Sequence, residues 1–217
     1  MTDSPPQVTN QGVTEQSVTE QSVTKKALRR EMLPQREAVT ARERVRAAMT
    51  IAARPVPVTI GPGVIVSGFS PMKSEIDPIP LMRRLADIGA QLALPVVVAK
   101  GQPLVMRSWT VGDHLQAGTW GIREPELAAA LVEPDVLIVP LLAFDRRGHR
   151  IGYGAGYYDM TLTALRQRKP VVAIGIAFAI QEIDAVPDEP GDARLDFVMT
   201  EKETIVINPD CVERIGR

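Results

Sequence analysis

The chain has 217 residues, 45% of them hydrophobic and 24% charged, enough to bury one substantial core. A formal net charge of −1 gives no overall field to recruit nucleic acid or an acidic membrane, and the longest apolar runs, 136–144 and 171–180, fall short of the roughly 18 residues a membrane span needs. The single cysteine, Cys211, excludes an internal disulfide, and with no apolar signal segment at the start the expected location is a reducing cytoplasm.

In chain order, residues 1–23 stand apart. Val-Thr recurs at 8, 13, 18 and 23, and the five-residue blocks at 13–17 and 18–22 are identical. Such polar repeats bury too little surface to offset the entropy of ordering, so 1–23 is expected to be a disordered tail ahead of one domain over 24–217. From Lys25 to Ala53 the apolar residues Leu28, Met32, Val39, Val45 and Met49 fall at loosely helical spacing, with Pro34 expected to break or kink the helix. The stretch is basic, carrying Lys25, Lys26, Arg29, Arg30, Arg36, Arg42, Arg44, Arg46 and Arg54, and for most of these arginines the reading is a solvated helix face.

Short apolar runs then alternate with helix-like segments: strands at 64–69, 92–99, 136–139, 171–177, 197–200 and 205–207, and helices at 79–88, 126–131 and 160–169. The alternation predicts an α/β fold, a single domain of three layers with a largely parallel central sheet flanked by helices. Ligands of such sheets sit beyond the carboxyl ends of the strands, which makes the loops after Phe69, Phe144 and Phe178 candidate walls of one cleft.

Glycine at every second position, in Gly152-Tyr153-Gly154-Ala155-Gly156, is poor strand and poor helix material. Positive φ at these glycines would bring successive N–H groups to a ligand as an anion-binding nest, with Arg150 before it and a helix N-terminus after it. The alternative is a glycine-rich turn with Tyr157 and Tyr158 packed beneath. Neither the Walker pattern nor the dinucleotide fingerprint fits the spacing. His114 and His149 are the only histidines, with no Cys/His cluster that would make a zinc site, and no Gly-x-Ser-x-Gly elbow occurs.

The run Arg150-Ile151-Gly152-Tyr153-Gly154-Ala155-Gly156-Tyr157-Tyr158-Asp159 resembles the signature of the 5-formyltetrahydrofolate cyclo-ligase family, also called methenyltetrahydrofolate synthetases. Gly121-Ile122-Arg123-Glu124-Pro125, the stretch from Val139-Pro140 to Phe144-Asp145, the segment from Phe69 through Ser74-Glu75-Ile76-Asp77, and the opening Lys25-Lys26-Ala27-Leu28-Arg29-Arg30 are similar to that family in order and approximate spacing. The likeness spans about Lys25 to Ile207.

The resemblance implies an ATP-dependent ligase of one-carbon metabolism with Mg2+ as cofactor. It implies ATP contacts from Lys25, Lys26, Ala27, Leu28, Arg29 and from Arg150 through Tyr158, with Ile151 among them. It implies folate contacts from Arg29, Glu75, Tyr153, Gly154, Ala155, Gly156 and Tyr157, and catalytic roles for Arg150 and Tyr157. Asp159 and Asp196 would hold the metal, although Asp159 could instead cap a helix and Asp196 could be a turn residue. Ala155 departs from the glycine or lysine common in the family, and Met160 from a usual basic residue.

The expected partners are small molecules, ATP and 5-formyltetrahydrofolate, with no nucleic acid and no membrane, and the expected state is a monomer. Two other classes stay open at this point: a folate- or nucleotide-binding regulator of the same fold that turns nothing over, and a nucleic-acid module using the basic helix. The near-neutral charge and few aromatics speak against the last.

Overall fold

The computed structural model describes residues 14–211, with side-chain detail from Thr24 onward. Helix α1 (Thr14–Ala38) begins within the expected polar tail and runs through Pro34, so the break expected at that proline does not occur. A proline inside a helix forfeits one backbone hydrogen bond. Here the contacts of Leu28, Met32 and Leu33 with Leu142, Ala143, Ile151 and Val186 supply tertiary packing that local propensity lacks. Residues 1–13, the first part of the expected tail, lie outside the described residues. Helix α2 (Ala41–Ala53) starts at a capping box in which Glu43 N–H donates to Thr40 Oγ1 at 3.3 Å and Thr40 N–H to Glu43 Oε2 at 2.9 Å.

The strands among the described residues are β1 (Ile65–Ser67), β2 (Gln91–Val96), β3 (Val105–Ser108), β4 (Leu115–Ala117), β5 (Arg123–Pro125), β6 (Val136–Pro140), β7 (Ala143–Phe144), β8 (Arg150–Ile151), β9 (Val172–Ile176), β10 (Phe197–Met199) and β11 (Thr204–Val206). Seven form one sheet in the order β11-β10-β9-β6-β1-β2-β3. The five inner strands are parallel, and the edge strands β11 and β3 pair antiparallel. β4–β5 and β7–β8 are separate hairpins.

Side-chain alternation sorts the inner strands onto two cores. Val136 and Ile138 of β6 and Val172 and Ile174 of β9 pack with α2 (Ala47, Ala48, Ile51) and with α3 (Ile79–Asp87), which contributes Leu81, Met82 and Leu85. Leu137, Val139 and Ala173 face the other way, against Leu162 and Leu165 of α4 (Tyr157–Arg166). A sheet covered on both faces explains the continuous apolar runs, and the expected three-layer, single-domain α/β architecture is what forms.

Boundaries moved where tertiary partners intervene. The strand expected to 99 stops at Val96, because Val97 N–H turns to Glu124 Oε1 at 3.1 Å. The helix expected at 126–131 does not form. Ser108 N–H donates to Ala130 O at 2.8 Å and Val132 N–H to Met106 O at 3.0 Å, so this stretch lies along the edge of β3. Six residues are too few to offset helix nucleation when an edge strand competes for the same carbonyls. The helix expected from 160 begins three residues earlier, at Tyr157.

Candidate active site

β1 and β6 are neighbours whose onward connections leave in opposite directions, β1 through α3 to β2 and β6 toward β9 on its other side. This is the topological switch point of the sheet, where the diverging loops leave a crevice beyond the carboxyl ends. The 68–77 loop follows β1; Leu141 and Leu142, the β7–β8 hairpin and the glycine loop follow β6. Helix α1 lies across them.

The glycine loop is held from both sides. Gly154 and Gly156 take positive φ, +98° and +69°, whereas Gly152 does not, so only two of the three glycines use the expected freedom. Gly156 is the N-cap of α4 and provides no side chain to its first turn, which leaves the amide end of the helix facing the loop. From α1, Arg29 Nε donates to Gly152 O at 2.8 Å, and a Cβ on Gly154 would come within 3.2 Å of Arg29 Cζ. As the tyrosine-packing alternative expects, Tyr157 is buried and the half-buried Tyr158 packs against the core beneath α4. Burial first of all, with the charge of Glu75, pushes the Tyr158 phenol far up, so it stays protonated.

Arg150 does not project as a free cation. Its side chain is 6% exposed, and it donates to Asp159 Oδ1 at 2.8 Å and to the carbonyl of Ala193. Burial draws its pKa down, and the charges of Asp159 and Asp192 oppose that. Asp159 is not a helix cap: it accepts from Arg150 and from Ala193 N–H at 3.1 Å. Lys25 is buried and pairs with Asp192 Oδ2 at 2.8 Å and Glu189 Oε2 at 3.2 Å. Lys26 and Ala27 are exposed on the turn beside it, while Leu28 and Ile151 pack into the core under the loop.

Asp196 lies elsewhere. It accepts from Arg166 Nη2 at 2.7 Å, from Ala173 N–H at 2.8 Å and from Asn208 Nδ2 at 3.0 Å, which places it by the last turn of α4, at the far end of that helix from Asp159. Its carboxylate is consumed in tying β9, β10 and α4 together. Asp192 shares the Asp159 end of α4: both charges act on Arg150, Ala193 N–H bonds Asp159, and Asp192 Oδ2 accepts from Lys25 Nζ and from Glu189 N–H, each at 2.8 Å. In Asp192-Ala193-Arg194-Leu195-Asp196, residue type alone does not separate two aspartates four apart.

Among the arginines expected on a solvated face, Arg36 is an exception. It is 1% exposed and donates to Ser74 Oγ, Leu141 O and Tyr153 Oη. The available signal was its spacing of seven from Arg29 and eleven from Lys25, which returns it to the same face of α1. Glu75 is buried, and its carboxylate accepts Met72 N–H at 2.8 Å within its own loop. Burial raises its pKa, opposed by that bond and by the charge of Arg36. On the opposite side Trp120, 64% exposed and at φ +58°, sets its ring 5.7 Å from that of Tyr157. Ser70 Oγ bonds the carbonyl of Arg123, joining this wall to the 68–77 loop.

Among the described residues no group of three or more His, Cys, Asp or Glu side chains could by itself hold a metal ion. Magnesium asks for less, one or two carboxylates with the remaining positions filled by water and phosphate. Asp159 and Asp192, with side chains 31% and 26% exposed, fit that demand.

A doubly wound α/β sheet with a glycine loop entering a helix at its switch point defines the class, one whose ligands sit beyond the carboxyl ends of the strands. Residues 21–201 match the model of the 5-formyltetrahydrofolate cyclo-ligase family, and the chain belongs to that family. It is 37% identical over 152 residues to a 5-formyltetrahydrofolate cyclo-ligase of Mycolicibacterium smegmatis, covering 66% of this chain and 77% of the relative. The enzyme of that name from Escherichia coli strain K12 is 32% identical over 178 residues, covering 79% and 93%. The solved 5,10-methenyltetrahydrofolate synthetase of Aquifex aeolicus superposes with a TM-score of 0.68 at 28% identity, over 89% of this chain and 94% of that one. No helix among the described residues is long and apolar enough to cross a membrane.

Proposed function

We propose that this chain converts 5-formyltetrahydrofolate into 5,10-methenyltetrahydrofolate, consuming ATP and releasing ADP and phosphate. The observation that carries the reading is the Gly152–Gly156 loop entering α4 at the switch point, flanked by Lys25 and Arg29 of α1, in a chain of this family. A formyl amide oxygen is a poor leaving group. Attack of that oxygen on the γ-phosphorus of ATP forms an O–P bond and expels ADP. N10 then attacks the formyl carbon and loses its proton, and the carbon–oxygen bond breaks with departure of phosphate.

The protein has no covalent chemistry to perform in this scheme; it positions the reactants and neutralises charge. The backbone N–H groups of the loop and of the first turn of α4 would receive the transferred phosphate, a role suited to amides at a helix N-terminus. Lys25 and Arg29 would add positive charge to the same anion. Arg150 acts through Asp159, which it orients, so its role is positioning rather than direct contact. Glu75, Tyr153 and Tyr157, with Trp120 beside Tyr157, would line the folate, flat aromatic faces suiting a pterin ring. Asp159 and Asp192, in place of the expected pair Asp159 and Asp196, would hold Mg2+, which supplies charge neutralisation at the nucleotide phosphates. A cytoplasmic location is part of the same proposal, supported by a single cysteine that is buried as a thiol.

The test is the appearance of methenyltetrahydrofolate absorbance from 5-formyltetrahydrofolate and MgATP, beside an ATP-free blank. ATP-dependent product is expected. A folded protein that binds both ligands and yields no ADP would instead be the silent binder of the same fold.

A further inference from the structure

Arg36 is more deeply buried than any other cationic side chain among the described residues. Three loops meet at its guanidinium. Nε donates to Ser74 Oγ at 3.1 Å in the 68–77 loop, Nη1 to Leu141 O at 3.4 Å beyond β6, and Nη2 to Tyr153 Oη at 2.6 Å in the glycine loop. Its carbon lies 5.5 Å from the centre of the Tyr153 ring.

Among the described residues no carboxylate stands within ion-pair distance of this cation; the charge of Glu75 acts on it from further away. Burying a cation on neutral acceptors is costly, and an apolar side chain at the same place would fill the space without that cost. Leu141 O is already served by Gln181 Nε2 at 2.8 Å, so the bonds that depend on Arg36 are those to Ser74 and Tyr153. Ser74 adjoins Glu75, and Tyr153 is 43% exposed at the mouth of the cleft.

We propose that Arg36 is a positioning residue for the folate half of the cleft: by binding Ser74 and the Tyr153 phenol at once, it fixes Glu75 and Tyr153 relative to each other before substrate enters. The inference rests on the folate reading of this site given above. Lys25 and Arg29 make no hydrogen bond to the Arg36 guanidinium, and Arg36 reaches the glycine loop only through the Tyr153 phenol, not through the backbone amides assigned to the phosphate.

The experiment compares Tyr153→Phe, which removes only a partly exposed hydroxyl, with Arg36→Lys, which keeps the charge but not the fork of donors, and with the double variant. For each, KM for 5-formyltetrahydrofolate and for MgATP is measured, together with calorimetric titration of 5-formyltetrahydrofolate alone. The expected result is a rise of about five- to tenfold in folate KM and dissociation constant for each single variant, with MgATP KM within about twofold. The double variant should be no weaker than the weaker single, since both changes sever one link. An unchanged folate constant in Tyr153→Phe, singles whose effects multiply, or a change confined to MgATP would overturn the proposal. Should the wild type make no product, the functional reading fails, while the folate titration still decides Arg36. Absence of folate binding by the wild type would overturn both.

Discussion

Arg150 and Asp159 meet at 2.8 Å across the glycine loop, so the ion pair staples the start of β8 to the first turn of α4 and fixes the length of the loop between them. The clamp is completed by Ala193, whose N–H reaches Asp159 and whose carbonyl takes Arg150. Under the proposed function the amides of this loop receive phosphate, and such amides work best when held before the ligand arrives, as this pair holds them.

Arg150→Met would leave Asp159 and the Ala193 carbonyl without their buried donor. We expect a loss of about 3 kcal/mol in stability by urea unfolding and a fall of at least about tenfold in turnover. A variant as stable as the wild type, with turnover within twofold, would make the pair incidental.

The two aspartates at 192 and 196 should differ in their Mg2+ dependence. Asp192→Asn is expected to lower turnover by about tenfold or more and to raise the Mg2+ concentration needed for half-maximal rate, and to cost about 1–3 kcal/mol in stability because it weakens the ion pair of the buried Lys25. Asp196→Asn removes a buried carboxylate that accepts from Arg166, Ala173 N–H and Asn208, and should cost about 2 kcal/mol in stability while the Mg2+ dependence stays put. A magnesium titration of both variants checks this, and equal dependence in the two would return Asp196 to the site.

Gly154→Ala places a Cβ at φ +98° and 3.2 Å from the Arg29 guanidinium, so it should destabilise by about 1–2 kcal/mol and weaken nucleotide binding. Gly152 lies outside the positive-φ region with nothing within 4 Å of an added Cβ. Gly152→Ala is therefore expected to melt like the wild type. Any loss of MgATP affinity in that variant reports close approach of ligand to the backbone, measured by isothermal titration.

Two buried carboxylates give opposite pH signatures. For Asp145, burial would raise the pKa, but bonds from Val186, Arg147 and His149 outweigh it and hold the group below its usual range. The unfolded state then binds the proton more readily, so the stability Asp145 contributes is present above the ordinary aspartate pKa and is lost as pH falls through the lower folded value. Glu75 is raised by burial, so its ionisation costs stability as pH rises from the ordinary glutamate value through the higher folded one. Asp145→Asn should melt lower than the wild type at pH 7, by about 2–3 kcal/mol of stability, and converge with it in acid. Glu75→Gln should melt higher at pH 7, converge with the wild type below about pH 4, and bind folate less well. Thermal melts between pH 3 and 8 check both signs.

Much of this protein was written in local pattern. Apolar runs such as 136–139 and 171–177 determined where the central strands lie, because a strand buried on both faces has no polar alternative, and the glycines at 154 and 156 marked a backbone that only positive φ explains. The order of motifs located Lys25, Arg29, Glu75 and Asp159, which the fold gathers at one switch point.

Tertiary structure decided the rest. The stretch meets the Asp159 end of α4 through Ala193 and the last turn of α4 through Asp196 and Arg166, and nothing in five residues encodes that. Whether an arginine on a basic helix is solvated or sealed in depends on what packs over it; Arg36 reads like its neighbours in sequence and is enclosed because three loops from separate strands converge on it. Pro34 and the stretch at 126–131 show the same physics: local preference is worth at most a few kcal/mol, and packing or a competing strand edge overrides it.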